Sequence, residues 1–420
     1  MQTLDRRTLM AGALGALALP GLARAANAPA TPFRRGVSVH NLLNWAEVEP
    51  DNKLQYRWPP FQSVHHKMQA AIYDNIVAAG FDFVRLTVDS GIFLQMTGER
   101  RDTLDEILVK TVKSFQSRGL GVVVDFHGNS QVATYAPVKI TESLSDPLFE
   151  AYQVMLVRTA KLLSVFRGTR IALELMNEPQ WGWDAGTAQR WQTMQQIWHE
   201  KVRAANPDLT LILTGARGGN AGGLMLIDPK PFSGSDVLWS FHYYEPYELT
   251  HQNVKFDSPK SRSWRYFSDL PYPGVPEHFD LAWPIIERNI RSDSNLQPNL
   301  RNALLEEARA SLQKYLAARP GRATVKRDFA SVEDWAKKNG ISTARLFLGE
   351  FGITRTYGRY RASPPEPLGN WLSDVRLEAE ARGIGWALWA LSGYGGMSLI
   401  ETDESVTFDR PTIAALGLKT

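Results

Sequence analysis

Three observations predict a (β/α)8 TIM barrel in a single domain. They are eight short apolar runs of strand character, helical patterns between them, and polar or aromatic residues gathered where the runs end. The runs are 35–39, 81–88, 121–126, 171–176, 209–213, 236–241, 345–348 and 383–388. Several are apolar without interruption, as in Val122-Val123-Val124. That suits parallel strands covered on both faces.

The intervening segments carry helical periodicity. Leu104, Ile107, Leu108, Val112 and Phe115 share one helical face, and so do Leu148, Tyr152, Met155, Leu156 and Leu162. Residues 184–205 and 300–318 also read as helices, and 364–383 as another that stops at a glycine. Strands alternating with helices form βαβ units, and eight such units close a barrel. A doubly wound open sheet is the competing arrangement. It calls for a glycine-rich phosphate turn, and neither G-x-G-x-x-G nor G-x-x-x-x-G-K occurs. About 100 residues separate the sixth run from the seventh. Within them, residues 245–298 are rich in proline, aromatic and polar residues, which predicts a long loop insertion above the strand ends.

The chain has 420 residues, 44% hydrophobic and 22% charged, an ordinary globular composition. α/β barrels run to such lengths as one domain. The net charge is +3, and Arg6, Arg7 and Arg24 against Asp5 account for +2 of it. A remainder near +1 gives no basic patch for nucleic acid. The absence of cysteine excludes disulfides, thiolate catalysis and cysteine-ligated metals.

Asp5-Arg6-Arg7-Thr8-Leu9-Met10 precedes the apolar run AGALGALALPGLA, a pattern similar to a twin-arginine export signal. Ala23-Arg24-Ala25 supplies a cleavage site, so residues 1–25 read as a signal and 26–420 as the catalytic domain, periplasmic or secreted. A cut after Ala26-Asn27-Ala28 would leave Pro29 next to the break. The apolar run is short for a bilayer span, so no stable membrane anchor is expected. Nothing in the sequence indicates an oligomeric state.

The chemistry gathers at the ends of the runs. Arg85 stands in VRL, and Asp125-Phe126-His127 ends the third run. Asn177-Glu178-Pro179 follows the fourth run, His242-Tyr243-Tyr244 the sixth, and Gly349-Glu350 the seventh. Trp386-Ala387-Leu388-Trp389 closes the eighth. A carboxylate at the end of an apolar strand is costly unless it has a task. Two of them, Glu178 and Glu350, suggest acid/base and nucleophilic chemistry on a sugar linkage.

In this order VRL, DFHG, NEP, HYY, GEFG and WALW resemble glycoside hydrolase family 5, the cellulase-type retaining glycosidases, from Arg35 to Trp389. The resemblance implies Glu178 as general acid/base and Glu350 as nucleophile. It implies Arg85 beside the nucleophile, Tyr244 hydrogen-bonded to it, and Asn177 on the sugar 2-hydroxyl. His127 and His242 would position sugar hydroxyls and the catalytic carboxylates. Trp389 would be the platform under the sugar, with Trp386 as the alternative. Glu174 reads as a structural partner of a barrel charge.

No cofactor and no metal are implied, and the partner is a β-linked polysaccharide or oligosaccharide. The activity implied is an exported endo-β-1,4-glucanase. The same machinery would serve β-mannan, xyloglucan or a short β-glucoside. A non-catalytic carbohydrate-binding barrel, or a metal-dependent hydrolase using Asp125, His127 and His242, are the other readings. Trp45, Trp181, Trp183, Tyr247 and Trp264 fall in loops above strand ends, each a sugar subsite or a packing anchor. Gly215–Gly223 fits no phosphate motif and reads as the loop after the fifth strand.

Overall fold

The computed structural model describes residues 32–419 except 130, 180–183, 257, 259–260, 358–359, 362, 393–395 and 401–404. Eight parallel strands close a barrel: β1 (Arg35–Leu43), β2 (Phe83–Val88), β3 (Gly121–Phe126), β4 (Ile171–Glu174), β5 (Thr210–Thr214), β6 (Val237–His242), β7 (Leu346–Phe351) and β8 (Gly385–Leu388). They lie in sequence order around the ring, and β1 closes it by pairing with both β2 and β8. The predicted fold is the one observed, and each of the eight runs contributes one strand. Among the described residues no helix is long and apolar enough to cross a membrane.

Side-chain alternation along the strands sorts the barrel into layers. Phe83, Val123, Ala172, Ile212, Leu238, Phe347 and Ala387 meet with Phe33 inside the ring as a closed apolar plug. Gly36 pairs in register with Phe83, and a Cβ there would come 2.2 Å from the Phe83 ring. The plug therefore has no room for even one methyl at that point. Two residues further along their strands stand Ser38, Arg85, Asp125, Glu174, Thr214 and Ser240, all buried. This second layer is polar, and it carries the site on an apolar base.

The outward faces pack against helices. Leu104, Leu108, Val112 and Phe115 of helix Gly98–Gln116 are buried at the predicted 3.6-residue spacing. On helix Pro147–Leu163 Tyr152, Met155 and Leu156 are buried as expected, while Leu148 and Leu162 are only half-buried and their neighbours Phe149 and Leu163 are buried instead. The helix start is capped by the Asp146 carboxylate on Leu148 N–H.

The insertion between β6 and β7 differs from the expected loop. It holds helices Phe279–Arg291, Pro298–Ala317 and Arg322–Lys338. The first lies inside the stretch read as loop, and Pro284 sits within it. Its buried Ala282, Ile286 and Ile290 keep a helical spacing that the prolines obscure in the sequence. The third buries Val325, Phe329, Val332 and Ala336, and serves as the barrel helix of β6.

Candidate active site

The polar layer centres on Arg85, which projects from the middle of β2 and is fully buried. Its guanidinium is enclosed by acceptors. Nε donates to Glu174 Oε2 at 2.7 Å, and Nη2 to Glu174 Oε1 at 3.1 Å. Nη2 also donates to Asn177 Oδ1 at 2.7 Å and stands 3.1 Å from Asp125 Oδ2. Nη1 donates to Glu350 Oε1 at 2.7 Å. A planar fork with five donors can satisfy so many partners at once, and a lysine could not.

One cation faces three carboxylates here, so they cannot all ionise cheaply. Burial pushes Asp125 up to about 7, opposed by Arg85 and reinforced by Glu178. Burial likewise raises Glu174. Glu174 thus takes the structural place expected of it, as the bidentate partner of Arg85.

Glu350, at the end of β7, receives a second hydrogen bond, from the Tyr244 hydroxyl to Oε2 at 2.8 Å. These two hydrogen bonds, one on each carboxyl oxygen, aim it. Gly349 makes this possible. A Cβ there would lie 2.6 Å from Ser240 Oγ and 3.0 Å from His242 Nε2, so only glycine lets β7 lie this close to β6.

Glu178, beyond the end of β4, sits differently. Its side chain is 34% exposed, against 5% for Glu350. Burial of the carboxyl pushes it up to about 7, with Arg85 pulling the other way. Water in the open cleft tempers that shift, and a substrate that displaces the water restores it. His242 Nδ1 is 2.8 Å from Glu178 Oε1 and 3.6 Å from Glu350 Oε2, so one imidazole spans the pair. Burial lowers the His242 pKa, which keeps the ring neutral. The loop after β5 fixes the His242 backbone, since its N–H donates to Gly219 O at 2.8 Å. Gly215–Gly223 is thus the predicted loop, with a defined role beside β6.

The other wall is built from β1, β3 and β8. His127 Nδ1 lies 2.9 Å from Asp125 Oδ2, and its Nε2 is 3.3 Å from Asn177 Nδ2. Burial pulls His127 down to about 3, opposed by Glu350 and helped by Arg85 and His242. The ring is neutral and donates to Asp125, leaving Nε2 to accept from Asn177. Trp389 stacks on His127, centroids 5.1 Å apart at 13°, and meets His40 edge-on at 4.5 Å. Trp386 instead packs behind β8 against Phe81 and Phe351, with Nε1 on Glu380, and takes no part in this wall.

Glu178, His242 and Glu350 each bring one donor atom within 4.8 Å of the others, the grouping among the described residues that resembles a metal cluster. Its members already serve each other and Arg85 as hydrogen-bond partners. Asp125 and His127 are bonded to one another rather than gathered with His242 in such a group.

A sequence model of the family described as cellulase, glycosyl hydrolase family 5, matches residues 46–395. The chain belongs to glycosyl hydrolase family 5. This family 5 enzyme is a glycoside hydrolase with curated relatives among endoglucanases. It is 23% identical to Endoglucanase 3 of Fibrobacter succinogenes over 73% of its own length and 41% of that protein's, so it spans well under half of that relative. Endoglucanase C of Acetivibrio thermocellus is 21% identical over 75% of this chain and 81% of its own.

Among solved structures, the cellulose synthase subunit Z of Clostridioides difficile superposes with a TM-score of 0.61 at 23% identity, over 91% of this chain and 99% of its own. A family 5 xyloglucanase from Paenibacillus pabuli gives 0.64 at 14%, over 92% and 98%. Cel5A of Thermotoga maritima, solved with mannotriose, gives 0.62 at 18%, over 92% and 98%.

All eight predicted site residues of this family 5 hydrolase, Arg85, His127, Asn177, Glu178, His242, Tyr244, Glu350 and Trp389, meet at the carboxyl end of the barrel. Two further residues belong with them. Asp125 was named from the sequence only in the alternative metal-dependent reading; in the structure it lies 2.9 Å from His127 Nδ1 and orients that ring. His40 was given no role from the sequence. It accepts from Trp45 Nε1 at 2.7 Å and packs against Trp389 and His127. Its signal was parity: Ser38 and His40 alternate inward along β1 as Arg85 and Thr87 do along β2. Trp181 and Trp183 lie outside the described residues.

Proposed function

We propose that this family 5 hydrolase is an exported, retaining endo-β-1,4-glucanase. The observation that carries the mechanism is the pairing of Glu178 and Glu350. One oxygen of each lies within 4.8 Å of the other. That accords with the separation of about 5–5.5 Å of retaining enzymes and is short of the roughly 6.5–9.5 Å that an inverting pair leaves for water. Glu178 protonates the leaving oxygen while Glu350, held by Arg85 and Tyr244, attacks the anomeric carbon. Glu178 then deprotonates the water that releases the glycosyl-enzyme. Asn177 holds the 2-hydroxyl, and Trp389 carries the apolar face of the sugar.

The endoglucanase relatives support β-1,4-glucan as substrate. The name of a structural neighbour, a cellulose synthase subunit, adds to the case for a β-1,4-glucan. The arginine pair at Arg6-Arg7 supports export through a leader of residues 1–25. The mannotriose complex and the xyloglucanase among the structural neighbours support a second reading, with β-mannan or xyloglucan on the same machinery. Product analysis on soluble β-1,4-glucan, β-mannan and xyloglucan decides between them. Faster release from either of the last two would displace the glucan assignment, and fractionation that places the activity in the cytoplasm would displace export.

The acid/base assignment has its own test. Glu178 must be protonated for the first step, and burial pushes it up to about 7. Activity is therefore expected to fall as pH rises through about 7. Glu178→Gln is expected to lose that limb and about 10²–10⁴-fold in rate on unactivated substrates. The loss should be smaller on aryl glycosides, whose leaving groups need no proton. An unchanged alkaline limb in the variant would assign the acid elsewhere.

A further inference from the structure

A cavity of about 950 Å³ lies beside the catalytic cleft, outside the barrel ring. Its walls are the segment after β6, the helix Pro298–Ala317 and the first turns of the helix Arg322–Lys338. Helices of such barrels that follow a strand begin on the catalytic face, so the cavity opens on the same side as the site.

Four aromatic side chains line it, Tyr243, Tyr247, Trp264 and Tyr315. Ala310, Ser311 and Ala318 line it from one face of the long helix, and their small side chains leave the space. Its acids are Glu245, Glu248, Glu307 and Asp328, against Lys314 and Arg327. Some of these groups are already engaged. Trp264 Nε1 donates to Ser311 Oγ at 3.1 Å, the Tyr243 hydroxyl to Asp328 Oδ2 at 2.9 Å, and Arg262 pairs with Glu307.

That lining has a definite chemistry. An excess of acid over base repels phosphorylated or uronic ligands. Aromatic faces stack on the C–H faces of a pyranose, and carboxylates accept from its hydroxyls. The volume lies in the range of about 300–1,000 Å³ typical of ligand sites.

The cavity adjoins the catalytic machinery through one aromatic contact. The Tyr247 ring lies 6.2 Å from that of Tyr244, whose hydroxyl donates to Glu350 at 2.8 Å. Tyr247 also stacks on His251, 5.0 Å between centroids, which holds it as the wall between cleft and cavity.

We propose that this cavity is a second oligosaccharide site, which receives a neutral β-1,4-linked chain as it leaves the cleft past Tyr247. The proposal rests on the glucanase reading above. It makes the insertion between β6 and β7 the part of the enzyme that measures chain length.

Filling the cavity tests it. Ala310 and Ala318 are exposed on the helix surface, so Ala310→Trp and Ala318→Trp add bulk to the space without entering the core. Each variant is compared with wild type on a long soluble β-1,4-glucan and on a chromogenic β-cellobioside, with thermal melts to confirm the fold. KM for the long glucan is expected to rise about tenfold, the loss of roughly one stacked sugar, with the cellobioside KM moving less than twofold. If both variants melt like wild type and match its KM on the long glucan, the cavity is not a sugar site. If wild type cleaves neither substrate, the glucanase reading falls and this one with it. If wild type cleaves both while the variants lose the two activities equally, the cavity acts on the cleft's structure, and the chain-length role is refuted.

Discussion

Glu350→Gln is expected to lower kcat by roughly 10⁴–10⁶-fold while the affinity for oligosaccharide stays within a few-fold of wild type. The substitution is nearly isosteric. The amide oxygen can still accept from Arg85 Nη1, so the β7 end keeps its anchor. An amide cannot form the glycosyl ester, and no other described carboxylate stands in its place opposite Glu178. Glu174 and Asp125 are engaged below it, by Arg85 and His127. A slow 2-fluoro glycoside should label the wild-type peptide containing Glu350 and leave the variant unlabelled in a mass spectrum. Turnover that survived the substitution, or a label found elsewhere, would overturn the assignment.

Arg85→Met is expected to cost about 3–5 kcal/mol of stability, far more than a surface arginine. It removes the one cation that Asp125, Glu174 and Glu350 share and leaves three buried carboxyls without their partner. The loss should depend on pH, with a sign that follows from linkage. Burial lifts folded Asp125 to about 7 from an ordinary value of 3.8. The folded state therefore holds that proton where the unfolded chain has released it, and this group's contribution to stability declines as pH rises from about 4 to 7. Without the arginine the folded value moves higher still. The gap between variant and wild type should thus widen from pH 5 to pH 8, as read from urea midpoints. Arg85→Lys, which keeps a charge but not the fork, should fall between the two. Equal losses at both pH values would show that the guanidinium matters for its volume and not for its charge.

The barrel was legible because its strands are buried on both faces and therefore read as continuous apolar runs, Val122-Val123-Val124 above all. The two carboxylates proposed for catalysis, Glu178 and Glu350, were legible for the opposite reason, as costly exceptions at the ends of those runs. The helix Phe279–Arg291 was not, because Pro284 and its proline-rich surroundings imitate a loop. Nor was the wiring of the polar layer. Arg85 meets Asn177 across 92 residues and Glu350 across 265, and no local pattern reports which acceptor a buried donor will choose. Asp125 shows the cost of that. Its residue type fitted a metal site, and only the 2.9 Å contact with His127 identifies it as the group that sets a histidine tautomer.

The ring closure has a consequence for how the enzyme comes to life. Arg85, on β2, draws partners from β3, β4 and β7, and β7, flanked by β6, gains its second neighbour only when β8 docks between it and β1. A fragment that lacks any of the contributing strands therefore cannot complete the centre by itself. Pairings of such long sequence separation form late and slowly. Hydrolysis is then a reporter of the last step of folding: during refolding, activity should trail helix content and emerge only as the first and eighth strands zip together.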